Sequence, residues 1–133
     1  MNINGTEVIV RDPLPGDINF ILSTMLKGLY YGSEFWQLVD QEAFFKNYEP
    51  FIKSLMLRSD IKVACLADDE DVILGYSMYK NEAIHFIFVK KSYRKLGLAR
   101  SLYPPGITIT THLTSQGDHI RRKLNLKFNP FIM

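Results

Sequence analysis

The segment Arg94-Lys95-Leu96-Gly97-Leu98-Ala99 follows an apolar run from Ile84 to Val89 and leads into residues able to start a helix. A strand that enters a glycine-containing turn and opens a helix brings unpaired backbone N–H groups and a partial positive charge to one point. Phosphate is the natural occupant of such a turn. Gly97 permits a positive φ or a close backbone approach, Ala99 keeps the next turn slim, and Lys90, Lys91, Arg94, Lys95 and Arg100 supply charge. By itself the loop signals an anion, not a reaction. It leaves open that Gly97 only ends a strand-to-helix turn while the lysines form a solvated face. A G-x-G-x-x-G dinucleotide site is disfavoured, because this loop holds a lone glycine and follows antiparallel-looking strands instead of an early βαβ strand.

Other reactive side chains are sparse. The single Cys65 lies in the apolar run Ile61 to Ala67, which points to a buried structural thiol without an internal disulfide and to a reducing, cytoplasmic setting. His112 and His119 lack the spaced partners of a metal site, so both read as ordinary polar residues and no metal is expected.

The loop must be positioned by the elements around it. Thr6 to Arg11 reads as a first strand, ended by Asp12-Pro13-Leu14-Pro15-Gly16. Asp17 is placed to cap a helix whose Ile18, Ile21, Leu22, Met25, Leu26 and Leu29 recur at helical spacing. A second helical region is expected over Phe35 to Tyr48, and Pro50 is expected to start a third, since proline suits a first turn and not an interior. Ile61 to Ala67 and Val72 to Lys80 then read as a hairpin, Asn81-Glu82 as a turn, and Ala83 to Val89 as a third consecutive strand, buried on both faces. Leu98 to Tyr103 starts a helix that Pro104-Pro105-Gly106 must stop. Ile107 to Thr111 reads as a strand, Asp118 as the cap of a final helix through Leu124, and Leu126 to Phe128 as an edge strand.

The 133 residues are enough for one core, so a single domain over 1–133 is expected. A net charge of +2 is too small to argue for a general nucleic-acid or anionic-membrane partner, so any anion site must be local. No run approaches the roughly 18 apolar residues needed to span a bilayer, and the N-terminus lacks the order of a secretory signal.

The loop and the elements before it resemble the GNAT N-acetyltransferase superfamily, whose signature is a strand ending in an apolar pair, a short linker and Arg/Gln-x-x-Gly-x-Gly/Ala. Here it reads Phe86-Ile87-Phe88-Val89, Lys90-Lys91-Ser92-Tyr93, then Arg94-Lys95-Leu96-Gly97-Leu98-Ala99. The resemblance covers most of the chain. It implies an α+β fold with a mixed, mostly antiparallel central sheet flanked by helices, here with a shortened helix after the pyrophosphate loop and a short C-terminus.

For function, the resemblance implies an acetyl-CoA-dependent N-acetyltransferase that moves an acetyl group to an amine of a small molecule or protein by direct attack. Coenzyme A would be held by main-chain groups of Phe88 and Val89 and by the loop Arg94, Lys95, Leu96, Gly97, Leu98 and Ala99. The proton acceptor would be His85, or Glu82 through water. On strand alternation His85 shares a face with Ala83, Ile87 and Val89, towards the thioester. A hydrogen-bonded core histidine and an exposed turn carboxylate are the respective alternatives. Tyr30, Tyr31 and Glu34 fall where the family forms one wall of the acceptor site, Glu34 holding a cationic amine; ordinary packing is the other use for the aromatics.

Two departures from the pattern stand out. Pro104-Pro105 cuts short the helix after the loop, and no tyrosine follows Tyr103 to protonate the leaving thiolate. A thiol of pKa near ~8.5 is a fair leaving group without it. These departures keep open a catalytically weak or inactive CoA-binding or regulatory module of the same fold. The brief C-terminus leaves the last strand pair incomplete or supplied by a second subunit, so a homodimer is also open. A polyanion-binding surface of Arg94, Lys95, Arg100, Arg121, Arg122 and Lys123 is the remaining reading, disfavoured by the low net charge.

Overall fold

The computed structural model describes residues 1–133. Strands β1 (Asn2–Ile3) and β2 (Thr6–Arg11) form a hairpin through Asn4-Gly5, whose φ angles are 51° and 83°. Paired positive φ values match the twist of the flanking strands, which is why an Asn-Gly turn favours a hairpin. The sequence reading starts the sheet at Thr6; the extra strand at its edge follows from this dipeptide.

Helix α1 (Ile18–Tyr31) follows a 3-10 turn at Pro15–Asp17. Asp17 does not cap it with its side chain. Its carboxylate accepts the Leu14 N–H at 2.7 Å and pairs with Arg11 instead.

Helix α2 (Gln41–Arg58) is one continuous helix capped by Asp40, whose carboxylate accepts the Ala43 N–H at 3.0 Å. Pro50 lies inside it, where a break between two helices was the expectation. An interior proline costs about 3 kcal/mol. Phe44, Ile52, Leu55 and Met56 are buried along the helix, and each contributes about 1.5 to 3 kcal/mol when fully buried, so their packing outweighs the proline.

Strands β3 (Asp60–Leu66), β4 (Ile73–Lys80) and β5 (Ala83–Val89) continue the sheet, followed by α3 (Leu98–Leu102), β6 (Ile109–Thr110), α4 (Ser115–Leu124) and β7 (Lys127–Phe128). The strands lie in chain order, antiparallel from β1 to β5, with β6 parallel to β5 and β7 parallel to β6. The fold is α+β with a mostly antiparallel sheet. Thr114, not Asp118, caps α4, its hydroxyl accepting the Gly117 N–H at 2.9 Å. Asp118 pairs with Arg121 and Arg122 one turn on.

The sheet is covered on both faces. Ile21, Met25 and Leu29 of α1 and Phe44, Ile52 and Leu55 of α2 pack on Val63, Tyr76 and Met78. The Tyr76 hydroxyl binds α1 directly, donating to the Ile21 carbonyl at 3.1 Å and meeting the Thr24 hydroxyl at 2.8 Å. Leu98 and Leu102 of α3 pack on Ile3, Val8, Ala64 and Leu74 at the opposite face. No helix is long and apolar enough to cross a membrane.

Candidate functional site

Strand β5 is paired with β4 along its length but with β6 only at Ala83↔Ile109 and Ile84↔Thr110. The expected strand Ile107 to Thr111 contracts to two residues, and the last bond across the pair runs from the Thr111 N–H to the Ile84 carbonyl at 3.1 Å. Beyond it the strands part. The half of β5 from Phe86 to Val89 therefore presents one backbone edge without a strand partner. Unpaired N–H and C=O groups of this kind need a partner, and an extended polar chain can supply it.

A bulge decides which groups face that gap. The β4–β5 register passes from Tyr79↔Ile84 to Met78↔Phe86, leaving His85 as the extra residue. A bulge breaks the alternation of a strand, so His85 does not share a face with Ile87 and Val89 as simple alternation predicts. Phe86 and Phe88 pack on the α1/α2 side, and Ile87 and Val89 on the α3 side. His85 joins Phe86 on the α2 side through its bond to Thr111. The Lys90 N–H donates to the Leu74 carbonyl at 2.7 Å, so the main-chain groups of Phe88 also turn towards β4 and those of Ile87 and Val89 turn to the gap. Of the two residues that the resemblance offers for main-chain contact, Val89 stands at the gap, while Phe88 turns its groups to β4 and Ile87 stands at the gap beside Val89. The Val89 carbonyl accepts from Arg94 Nε at 3.0 Å, which ties the loop to the mouth of the gap.

The loop itself has an unusual backbone. Lys95 and Gly97 have φ of 64° and 88°, with Leu96 between them at negative φ. Alternation of this sort turns successive N–H groups inward and makes an anion-binding concavity. The amides of Lys95, Leu96, Gly97, Leu98 and Ala99 have no acceptor within the protein. No atom lies within 4 Å of where a Cβ on Gly97 would stand, so the space over the loop is open. Helix α3 is only five residues long, so the loop amides and the surrounding cations carry the attraction more than a helix dipole does.

Gly75 governs the same strand from the β4 side. A Cβ there would stand 2.5 Å from the Phe88 carbonyl oxygen, 3.1 Å from Leu102 Cδ1 and 3.4 Å from Val89 Cα. The backbone of β5 cannot yield without moving the gap edge. Gly75→Ala is expected to cost about 1 to 3 kcal/mol of stability by overpacking. Urea unfolding of the variant checks this, and an unchanged midpoint would show that β5 moves freely.

No protein-family model and no curated protein matches this sequence. Solved structures do match. A candidate acetyltransferase of Pyrococcus furiosus aligns at TM-score 0.58 and 18% identity, over 92% of this chain and 79% of its own. One of Clostridium difficile 630 aligns at TM-score 0.54 and 14% identity, over 95% and 94%. A GCN5-related N-acetyltransferase of Rhodopseudomonas palustris aligns at TM-score 0.51 and 18% identity over 77% of this chain, which spans 63% of that protein's length. The chain has the GNAT fold. At these identities the likeness is one of architecture.

Within the GNAT fold the remaining candidates fall into distinct places. His85 is 3% exposed and its Nδ1 lies 2.7 Å from Thr111 Oγ1. Burial, with the charge of Arg58 adding to it, pulls its pKa down to about 4. Thr111 Oγ1 also lies 3.2 Å from His112 Nδ1, and His112 Nε2 lies 2.9 Å from the Tyr48 hydroxyl. Burial pulls His112 down to about 4 as well and pushes Tyr48 up to about 12. His112 is therefore no ordinary polar residue, and nothing in the sequence joined it to Tyr48, 64 positions away, or joined Thr111 to His85, 26 positions away.

Glu82 stands at the far end of β5 from the loop, exposed, in a surface pocket with Lys80, Asn81 and Ile132. Tyr30 is buried, donates its hydroxyl to the Val39 carbonyl at 2.7 Å and packs on Phe44, so it builds the core and not a pocket wall. Tyr31 is exposed, and Glu34 lines a pocket of about 240 Å³ with Ser33, Thr114, Ser115 and Asp118.

Proposed function

We propose that this chain, as a single domain, is an acetyl-CoA-dependent N-acetyltransferase acting on an amine. The observation that carries this reading is the parting of β5 from β6 beyond Ile84, which leaves the backbone groups of Ile87 and the Val89 N–H without a strand partner beside the free loop amides. The residues present suit coenzyme A. Loop amides Lys95 to Ala99, with Lys90, Lys91, Lys95 and Arg100 nearby, would hold the diphosphate, and the backbone groups of Ile87 and the Val89 N–H would pair with the amide groups of the pantetheine arm. Bound there, acetyl-CoA supplies the activated acyl group.

The protein's own contribution is position, a main-chain donor to polarise the acyl carbonyl, and a proton acceptor. His85 lies immediately beyond the last β5–β6 pair, at the closed end of the gap, whereas Glu82 lies outside it on the turn. That favours His85 as the acceptor. Glu34 and Asp118, in a pocket between the end of α1 and the start of α4, favour a cationic amine, although Asp118 is shared with two arginines.

The short α3 and the lack of a tyrosine on α4 favour a second reading, a CoA-binding module that has lost turnover. One titration separates the two. Calorimetry with acetyl-CoA is expected to give saturable binding, and Gly97→Val, which fills the space over the loop, is expected to weaken it at least roughly tenfold, the loss of about one charge-assisted hydrogen bond. Thiol release with a panel of amines then distinguishes enzyme from module. No binding by the parent chain would sink both.

A further inference from the structure

The closed end of the gap is bridged by side chains as well as by backbone. His85 is the first residue of β5 past the last pair with β6, and Thr111 is the first residue past β6. Thr111 Oγ1 lies 2.7 Å from His85 Nδ1 and 3.2 Å from His112 Nδ1, and His112 Nε2 lies 2.9 Å from the Tyr48 hydroxyl on α2. Thr110 fixes His112 from the other side, its hydroxyl donating to the His112 carbonyl at 3.0 Å. The other acceptor near Thr111 Oγ1, the Ile84 carbonyl, is at 3.5 Å, outside the range of a good O–H···O bond.

A threonine hydroxyl has a single proton to give. Its oxygen can accept from two donors, so what decides the tautomers is where that proton goes. With the Thr111 proton given to one imidazole, the Nδ1 of the other must carry its own proton, which sets the two histidines in opposite tautomers. In one arrangement His85 Nδ1–H donates to Thr111, Thr111 donates to His112 Nδ1, and His112 Nε2–H donates to the Tyr48 oxygen. In the other, Tyr48 donates to His112 Nε2, His112 Nδ1–H donates to Thr111, and Thr111 donates to His85 Nδ1. His85 Nε2 has no hydrogen-bond partner and is not fully enclosed, so the small exposed part of this ring includes it.

We propose that His85, Thr111, His112 and Tyr48 form one proton relay, with His85 Nε2 as its entrance at the closed end of the gap and the Tyr48 hydroxyl as its exit on α2. This rests on the acetyltransferase reading. Transfer of an acyl group to a neutral amine forms a C–N bond, breaks a C–S bond and leaves one amine proton to be removed, while the thiolate leaves and takes a proton from solvent; a cationic amine first gives its extra proton to solvent. The relay accepts that amine proton at His85 Nε2. His85 Nδ1–H passes to Thr111, the Thr111 proton to His112 Nδ1, the His112 Nε2 proton to Tyr48, and the Tyr48 proton to solvent. One proton enters, one leaves, and the first arrangement becomes the second. No residue retains a charge, which suits a buried site. His85 is then the catalytic residue, and Thr111, His112 and Tyr48 serve it as positioning and relay groups.

The test combines a spectroscopic and a kinetic readout. Long-range 1H–15N spectra of the histidine-labelled protein near pH 7 are expected to show opposite tautomers for His85 and His112, and Thr111→Val to abolish that opposition. With acetyl-CoA and an amine that the parent turns over, Thr111→Val and Tyr48→Phe are expected to lower kcat roughly 10²-fold with little change in KM. Tyr48→Phe retains the ring that packs on Phe44, so it guards against a mere folding defect. Like tautomers in the parent, or both variants at parental kcat, overturn the relay and leave the transferase reading standing. A parent that releases no thiol overturns the transferase reading and the relay's part in it, while the opposed tautomers would still be seen.

Discussion

Asp17→Ala is expected to lower the unfolding free energy by about 3 to 5 kcal/mol, the usual result of removing one partner from a buried ion pair. Arg11 Nη1 and Nη2 lie 2.7 and 3.2 Å from the two carboxylate oxygens of Asp17, in a fork that few other pairs match. Their side chains are 12% and 6% exposed. The guanidinium holds the Asp17 carboxyl below the usual carboxylate range, against the opposing effect of burial. Arg11 also donates to the Glu70 carbonyl at 2.7 Å, so this one pair fastens β2, the start of α1 and the β3–β4 turn together. Losing the carboxylate leaves a cation buried with its Nε already enclosed and unpartnered. Urea unfolding at neutral pH measures the loss. An Arg11→Met, Asp17→Leu double variant is expected to recover much of it, because apolar replacement removes the stranded charge. A single variant within about 1 kcal/mol of the parent would mean that the pair is solvated in solution.

Acidification strips stability from the same fold through a different pair. His85 and His112 both titrate at about 4 when folded, against about 6.5 in an unfolded chain. Between those values the unfolded chain binds protons that the folded chain refuses. The contribution is therefore fully present above pH 6.5 and is lost as the pH falls towards 4, on the order of 3 kcal/mol for each ring. The two share Thr111 and titrate as a pair, so the loss belongs to both together. Asp17 adds its own loss only at lower pH, because its folded pKa is depressed below the ordinary carboxylate value. Urea midpoints taken from pH 7 to pH 4 are expected to fall steeply below 6.5, and a variant lacking both histidines to flatten that limb. A parent whose midpoint holds level from pH 7 to pH 4.5 would show the rings to be accessible to protons.

Where local chemistry decides the outcome, the sequence is a sound guide. The signature strand, the glycine loop and the arrest of α3 at Pro104 are read from residues that act on their own neighbours. Leu98–Leu102 ends where a proline pair forbids continuation, and Gly97 sits at the positive φ that its lack of a Cβ permits. Local signals fail where burial opposes them. Pro50 reads as a helix start, but the apolar face of α2 runs through it, and several buried side chains outweigh one missing hydrogen bond. Asp17 and Asp118 read as caps because each precedes helical spacing, yet each finds an arginine nearby, and a charged partner holds a carboxylate more strongly than a backbone amide does.

Apart from the edge strand β1 and the joining of two expected helices into α2, the sequence alone determined the order of elements, the apolar faces that make them pack, and the placing of a glycine loop after a buried strand, since each of these follows from residues within a few positions of one another. The tertiary structure decided what faces the gap. The extra residue at His85 depends on the register of β4 against β5, and it turns His85 away from where alternation would put it. The meeting of Tyr48, His85, Thr111 and His112 depends on how α2 and the end of β6 come to rest on β5. Contacts between residues so far apart in the chain leave no local pattern of spacing, because they are fixed by packing and not by the geometry of any one helix or strand.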